Sequence, residues 1–186
     1  MQTLQAPRTP RTASRVIVRL MAEIPSTVTI RFAAESDAPG IARLLHAMAG
    51  AGWFSALANV SAQELEEKIR RDLATLAGSA EATTLVAETG EGTIVGYCHV
   101  HWLAELFMLG PEGYLSELFL LPEARGQRIG TALLDRVVAE AESRGAFRLM
   151  LLNGRQRESY SRGFYEKNGW EEREGMANFV YWVKQP

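Results

Sequence analysis

The segment that most restricts the fold of this chain is Tyr114–Leu134, YLSELFLLPEARGQRIGTALL. A strand-like apolar run passes through Pro122-Glu-Ala-Arg-Gly-Gln-Arg-Ile-Gly130 and enters a helical pattern with no linker. A turn of this kind gathers free backbone N–H groups at a helix N-terminus. Those donors, with the positive end of the helix dipole, suit phosphate oxygens. Gly126 and Gly130 allow positive φ and close approach of a ligand to the backbone. Arg125 and Arg128 add charge that pairs with phosphate. No lysine follows Gly130, so the turn is not a P-loop, and the glycine spacing does not fit the dinucleotide fingerprint. Taken alone, a strand-to-helix turn with two glycines is more often a plain connection than a ligand site.

The flanking sequence reads as alternating strands and helices. Val28, Ile30 and Phe32 alternate with polar residues in a half-buried strand over 27–33. Ser36 or Asp37 caps a helix whose stripe is Ile41, Leu44, Leu45 and Met48, and Gly50 and Gly52 end it. Ser61-Ala-Gln-Glu64 is a capping box, followed by Leu65, Ile69, Leu73 and Leu76 on one face, and Gly78 stops that helix. Residues 84–88 and 93–102 form a hairpin, and 114–121 a further strand. Residues 127–144 are a third helix with Ile129, Leu133, Val137 and Ala141 inward, closed by Gly145. The run Phe147–Leu152 reads as a strand covered on both sides. A fourth helix over 159–168 and an antiparallel pair, 170–174 with 176–183, complete the chain. With neither internal repeat nor linker, this is one α/β (α+β) layered domain.

Charge and cysteine usage narrow the function classes. The chain of 186 residues has a net charge of −2, so it lacks the bulk positive field of a nucleic-acid binder. Cys98 is the only cysteine, which excludes an internal disulfide and multi-cysteine zinc sites. No apolar run has the length of a membrane span, and a cytoplasmic location is expected. Residues 1–20 hold Arg8, Arg11, Arg15 and Arg19 and no acid, which leaves 16 bases against 22 acids in the rest. With Pro7 and Pro10, that composition reads as a disordered basic segment over 1–22 ahead of a folded domain over 23–186. An Arg-rich, acid-free start also mimics a transit peptide.

Arg125-Gly-Gln-Arg128-Ile-Gly130 resembles the strand–[QR]-x-x-G-x-[GA]–helix signature of the GCN5-related N-acetyltransferase (GNAT) family. The first and last positions match, and Arg128 stands where that family usually has glycine. Gly163-Phe-Tyr-Glu-Lys-Asn-Gly-Trp170 is similar to the family's later FYEKxGF segment, and the likeness extends over about 27–183. The resemblance implies a mixed, mostly antiparallel sheet of about seven strands with four helices, splayed between the fourth and fifth strands. It implies an N-acetyltransferase that moves an acetyl group from acetyl-CoA to an amine by direct attack on the thioester. The alternative is an acyl-CoA-binding sensor or regulatory module with little turnover.

On these residues, the resemblance sets pyrophosphate at Gln127, Arg128, Ile129, Gly130 and Thr131, beside Arg125 and Gly126. Pantetheine would pair with strand backbone near Phe119 and Leu120, with the Leu120 N–H toward the thioester oxygen. Glu117 interrupts an apolar strand and is the candidate base. Its other reading is a strand-face acid paired with an arginine or reaching solvent. Tyr165 is the candidate acid for the leaving thiolate. Asn153, Ser159 and Arg162 are further cofactor contacts, although N-capping accounts equally well for Ser159. Glu158 replaces the family's usual asparagine. His99 and His101 share a strand face with Tyr97 and line the acceptor pocket or pack there. They are too few for zinc, and no metal is expected. Cys98 faces the other way and fills core. Trp53 and Phe54 form a lid or fasten their loop to the core, and the acceptor is a small-molecule or peptide amine. A homodimer is compatible with the sequence.

The basic segment lacks apolar periodicity, so it is expected to be dispensable. A chain starting at Met21 should melt with the full-length protein and bind CoA equally. A large drop in Tm would show that the segment packs on the domain.

Overall fold

The computed structural model of the chain describes residues 24–50, 57, 59–181 and 183. Five strands form one sheet in the order β1-β2-β3-β4-β5: Val28–Phe32, Ala82–Thr89, Ile94–Leu103, Glu112–Leu120 and Arg148–Met150. The first four pair antiparallel, and β5 joins β4 in parallel. The α-helices are α1 (Ala38–Gly50), α2 (Ala62–Leu76), α3 (Ile129–Ser143), α4 (Glu158–Ser161) and α5 (Phe164–Lys167). No helix among the described residues is long and apolar enough to cross a membrane.

The two-residue period of the strands divides the core. Leu85, Ala87, Cys98, Val100 and Leu115 pack with Ile129, Leu133, Leu134, Val137 and Ala141 of α3. Val86, Tyr97 and Phe119 face the other way, against Ile41, Leu44 and Met48 of α1 and Leu73 of α2. Helices therefore cover both faces. Cys98 is fully buried in the first cluster, and burial pushes its thiol up to about 12, consistent with a small apolar filler.

Helix starts follow local chemistry. Ser61 Oγ accepts the Glu64 N–H at 3.2 Å, and Glu64 Oε2 accepts the Ser61 N–H at 3.0 Å, which is the capping box read from the sequence. Before α1, a short 3₁₀ turn covers Glu35–Asp37. Asp37 accepts the Ala34 N–H at 2.8 Å and two hydrogen bonds from Arg31, each 2.7 Å. The third arm of Arg31 donates to Glu88 at 2.7 Å, so one guanidinium ties β1, β2 and the entry to α1 together.

Three expectations about the last third of the chain are corrected. The helix over 159–168 is two short helices, broken at Gly163, which adopts φ +61 and ψ +40. A left-handed residue cannot continue an α-helix, and glycine takes that conformation without a Cβ clash. The fully covered strand over 147–152 is a three-residue, half-buried β5, with Phe147 and Leu152 exposed. The antiparallel pair over 170–183 does not form among the described residues, so the sheet has five strands rather than seven. Glu172 instead accepts hydrogen bonds from Arg155 at 2.6 Å and the Tyr160 hydroxyl at 2.9 Å, which draws this segment toward α4. The expectations for residues 1–22 and for Trp53 and Phe54 lie outside the described residues.

Burial works against the charge of Asp37, but the hydrogen bonds from Arg31 and Ala34 outweigh it and hold the carboxyl below its ordinary 3.8. A depressed folded pKa contributes stability that is present above the unfolded value and lost as pH falls through the folded one. Asp37→Asn is therefore expected to destabilise the protein by about 1–2 kcal/mol at pH 7. Thermal melts of the two proteins should converge only as pH falls below 3.8 and through the lowered folded pKa. A gap that persists in acid would assign the effect to shape rather than charge.

Candidate active site

The site begins where β4 and β5 part. Their pairing covers only Glu112–Tyr114 against Arg148–Met150. The Leu121 N–H donates to the Val95 carbonyl at 2.9 Å, so by strand alternation the backbone of Leu120 and Leu118 turns away from β3 and into the gap. A cavity of about 90 Å³ occupies the gap, lined by Leu118, Leu120, Asn153, Ser159 and Tyr165 among others.

The turn after β4 closes one end. Arg125 points inward, with one nitrogen 3.5 Å from the Leu120 carbonyl and 3.6 Å from Met48 Sδ. Arg128 is exposed and caps α3 in the left-handed conformation, φ +61 and ψ +4. It is the one non-glycine residue with positive φ among those described. The N–H groups of Ile129, Gly130 and Thr131 open the helix with no side-chain cap and no acid in the first turn. Donors arranged in this way suit an anion. Gly126 has φ +75, as the sequence suggests. Gly130 does not: it is helical, and a Cβ there would stand 3.0 Å from Leu120 and 3.2 Å from Phe164. Its smallness lets α3 pack against β4 and α5.

Glu117 lies on β4 directly across from His99. Its Oε2 accepts a 2.6 Å hydrogen bond from the Tyr97 hydroxyl. Burial and the adjacent carboxylate raise the Tyr97 pKa, so the phenol stays protonated and remains a donor. The arginine partner considered for Glu117 is replaced by this buried tyrosine, which fixes the carboxylate in place. Tyr165 lines the cavity, with its ring against Phe164 at 5.0 Å and Trp170 at 6.1 Å. Burial pushes its phenol up to about 12, opposed by Arg157.

Phe119, Leu120, Arg125, Asn153, Ser159, Arg162 and Tyr165 thus share one cavity. The Phe119 side chain itself is core, 5.8 Å from the Tyr97 ring. Ser159 donates to Asn153 Oδ1 at 3.0 Å, and Arg162 lies over the Phe164 ring at 5.6 Å. Gln127, Arg128, Ile129, Gly130 and Thr131 form the adjoining turn and helix start, outside the cavity lining. Arg157 also lines the cavity, and sequence reasoning missed it; the signal was a third arginine just ahead of α4. A larger cavity, about 330 Å³, lies at the far end of the sheet by Phe32, Leu76 and Thr83, where Arg144 is already paired with Glu140. No cluster of three or more His, Cys, Asp or Glu suited to a metal occurs among the described residues.

A family model described as "Acetyltransferase (GNAT) family" matches residues 51–170, which include the turn, the parted strands and Tyr165. The chain belongs to the GNAT acetyltransferase family. Solved structures share the fold. Glucosamine-6-phosphate N-acetyltransferase from Arabidopsis thaliana is 19% identical with a TM-score of 0.65, over 85% of this chain and 99% of that one. An aminoglycoside acetyltransferase from an uncultured soil metagenomic sample is 20% identical with a TM-score of 0.67, over 87% and 100%. Ribosomal-protein-alanine N-acetyltransferase from Brucella melitensis biovar Abortus 2308 is 21% identical with a TM-score of 0.63, over 83% and 99%. These identities speak to the fold alone. Against the GNAT pattern, Arg128 occupies a position of the turn where the backbone has positive φ, a conformation that favours glycine.

A left-handed arginine costs about 1–2 kcal/mol relative to glycine, partly offset by the greater unfolded-state freedom of glycine. Arg128→Gly is expected to stabilise the protein by about 0.5–1 kcal/mol, read as a higher Tm. An unchanged or lower Tm would show that the arginine side chain offsets the strain.

Proposed function

We propose that the chain is an acetyl-CoA-dependent N-acetyltransferase acting on a small-molecule or peptide amine, with the activity contained in residues 23–186. The observation that carries this reading is the placement of Tyr165 and an uncapped helix N-terminus around one gap between β4 and β5, with Glu117 on the strand that borders the gap, outside its lining. When bound, acetyl-CoA supplies an acetyl group activated as a thioester. The N–H groups of Ile129, Gly130 and Thr131, with Arg128, receive the pyrophosphate. The backbone of Leu118 and Leu120 pairs with the pantetheine amides, and the Leu120 N–H stabilises the developing oxyanion.

Free amines are mostly protonated near neutrality, so attack needs a base. Glu117, held by Tyr97, takes that proton directly or through water. Tyr165 faces the leaving thiolate. Its pKa of about 12 makes full proton transfer to a thiolate uphill by about 5 kcal/mol if the thiol has the usual value near 8.5. A charge-assisted hydrogen bond to the sulfur is the better role, and such bonds contribute about 1.5–3 kcal/mol.

Acetylation of an amine panel, followed by product mass, tests the reading. Glu117→Gln should lower kcat/KM by about 10²-fold or more at neutral pH, and the loss should shrink as pH rises and free amine accumulates. Tyr165→Phe should lower kcat by about 10- to 10²-fold with CoA affinity and Tm unchanged. Full activity of Glu117→Gln at neutral pH would remove the base assignment. Acetyl-CoA binding with no transfer to any amine would favour the acyl-CoA-binding module.

A further inference from the structure

Beside Glu117, on the face that carries α1 and α2, lies a row of polar rings that the hydrophobic clusters leave out. His99 sits across from Glu117 in the β3–β4 register. Its Nδ1 is 2.7 Å from the Thr84 hydroxyl. The His99 and His101 rings meet edge to face at 4.6 Å, and His101 stacks with Tyr114 at 6.5 Å. Thr84, His99, His101, Tyr114 and Glu117 are all half-buried, so solvent or a ligand reaches each of them. Tyr97 and Phe119, their neighbours on the same face, are core. The row therefore extends from the candidate base toward the far end of the sheet, and the core does not use it.

Its charge is specific. Burial lowers the His99 pKa, with Glu117 opposing, so the imidazole is neutral at pH 7. Asp72 and Lys68 are the charged groups that reach His99 from α2, and they form an i,i+4 ion pair with each other. Glu117 itself makes no ion pair among the described residues, its hydrogen bond being to the uncharged Tyr97 hydroxyl. The cavity-lining arginines, Arg125, Arg157 and Arg162, stand with the cofactor residues instead. The neutral His99 imidazole and the aromatic face of Tyr114 receive a cation or a flat uncharged group well. A carboxylate or phosphate brought beside Glu117 would be repelled by its like charge.

We propose that the acceptor is a cationic amine bearing no carboxylate or phosphate, whose uncharged body lies along the His99–His101–Tyr114 row while its ammonium meets Glu117. This rests on the acetyltransferase reading and deepens it by assigning the substrate class, with His101 and Tyr114 as specificity-determining residues.

Matched acceptors that differ by one anionic group test it. Tyramine is compared with tyrosine, and glucosamine with glucosamine 6-phosphate, by kcat/KM on the full chain. The member without the anion should be preferred by tenfold or more in each pair. His101→Lys adds a cation to the row and should narrow or reverse that preference by at least tenfold, through KM, without changing CoA affinity. His101→Gln adds no cation and should retain the preference. Equal or better use of tyrosine and glucosamine 6-phosphate would overturn the inference while leaving the acetyltransferase reading standing. A preference untouched by His101→Lys would equally overturn it. No transfer to any amine, with acetyl-CoA still bound, would overturn the acetyltransferase reading itself and this inference with it.

Discussion

The short parallel pairing of β4 with β5 is the constraint from which the site follows. The ladder ends at Tyr114 and Met150, yet β4 continues to Leu120. Over those last residues one edge of β4 is hydrogen-bonded to β3 and the other faces a gap. Backbone polar groups must find partners. The Leu120 carbonyl takes Arg125, and the remaining edge presents an extended main chain of the kind that accepts another strand-like molecule. Because the turn from β4 to α3 is short, the α3 N-terminus is delivered to the same opening. An amide-rich chain ending in phosphates would meet both features in one pose.

Charge is divided across this opening. Arg125, Arg157 and Arg162 line the cavity on the side of α4, α5 and the phosphate turn. Glu117 and the neutral imidazole of His99 occupy the opposite face of β4, under the α1–α2 layer. The division follows from strand alternation: Leu118 and Leu120 point toward α3, and Glu117 and Phe119 toward α1. The separation is incomplete, since Met48 and Phe119 from the α1 face also line the arginine-bearing cavity. Tyr97 fixes the Glu117 carboxylate through its hydroxyl.

What the sequence revealed was governed by range. Ser61 and Glu64 cap α2 within three residues, and α3 carries its apolar face at helical spacing, so both were readable. The breaks in the last third were not. A continuous apolar run such as 147–152 states that burial is favourable, not how many neighbours supply it, and only Arg148–Met150 found a partner strand. Gly163 reads as one residue of a helix until its φ is known. Glu117 was legible as an acid in an apolar strand, but its tyrosine is 20 positions earlier and reaches it through a β3–β4 register with a bulge beyond His99. No local pattern encodes such a contact. The GNAT likeness supplied the roles proposed for Glu117 and Tyr165, and the packing supplied their surroundings.

Arg128 joins these threads. Two local costs fall on this residue. Its left-handed backbone is unfavourable for any residue with a Cβ, by about 1–2 kcal/mol. Its cation stands at the positive end of α3, where an acid would be favoured by about 0.3–1 kcal/mol. Glycine would avoid both, and the GNAT pattern usually has it. Strain retained in this way is typical of positions where a ligand offsets it. A phosphate bound to the Ile129, Gly130 and Thr131 N–H groups would neutralise the dipole and pair with the guanidinium, turning the second cost into a gain. A bound anion would therefore offset the second cost and leave the first, the left-handed backbone of Arg128, in place.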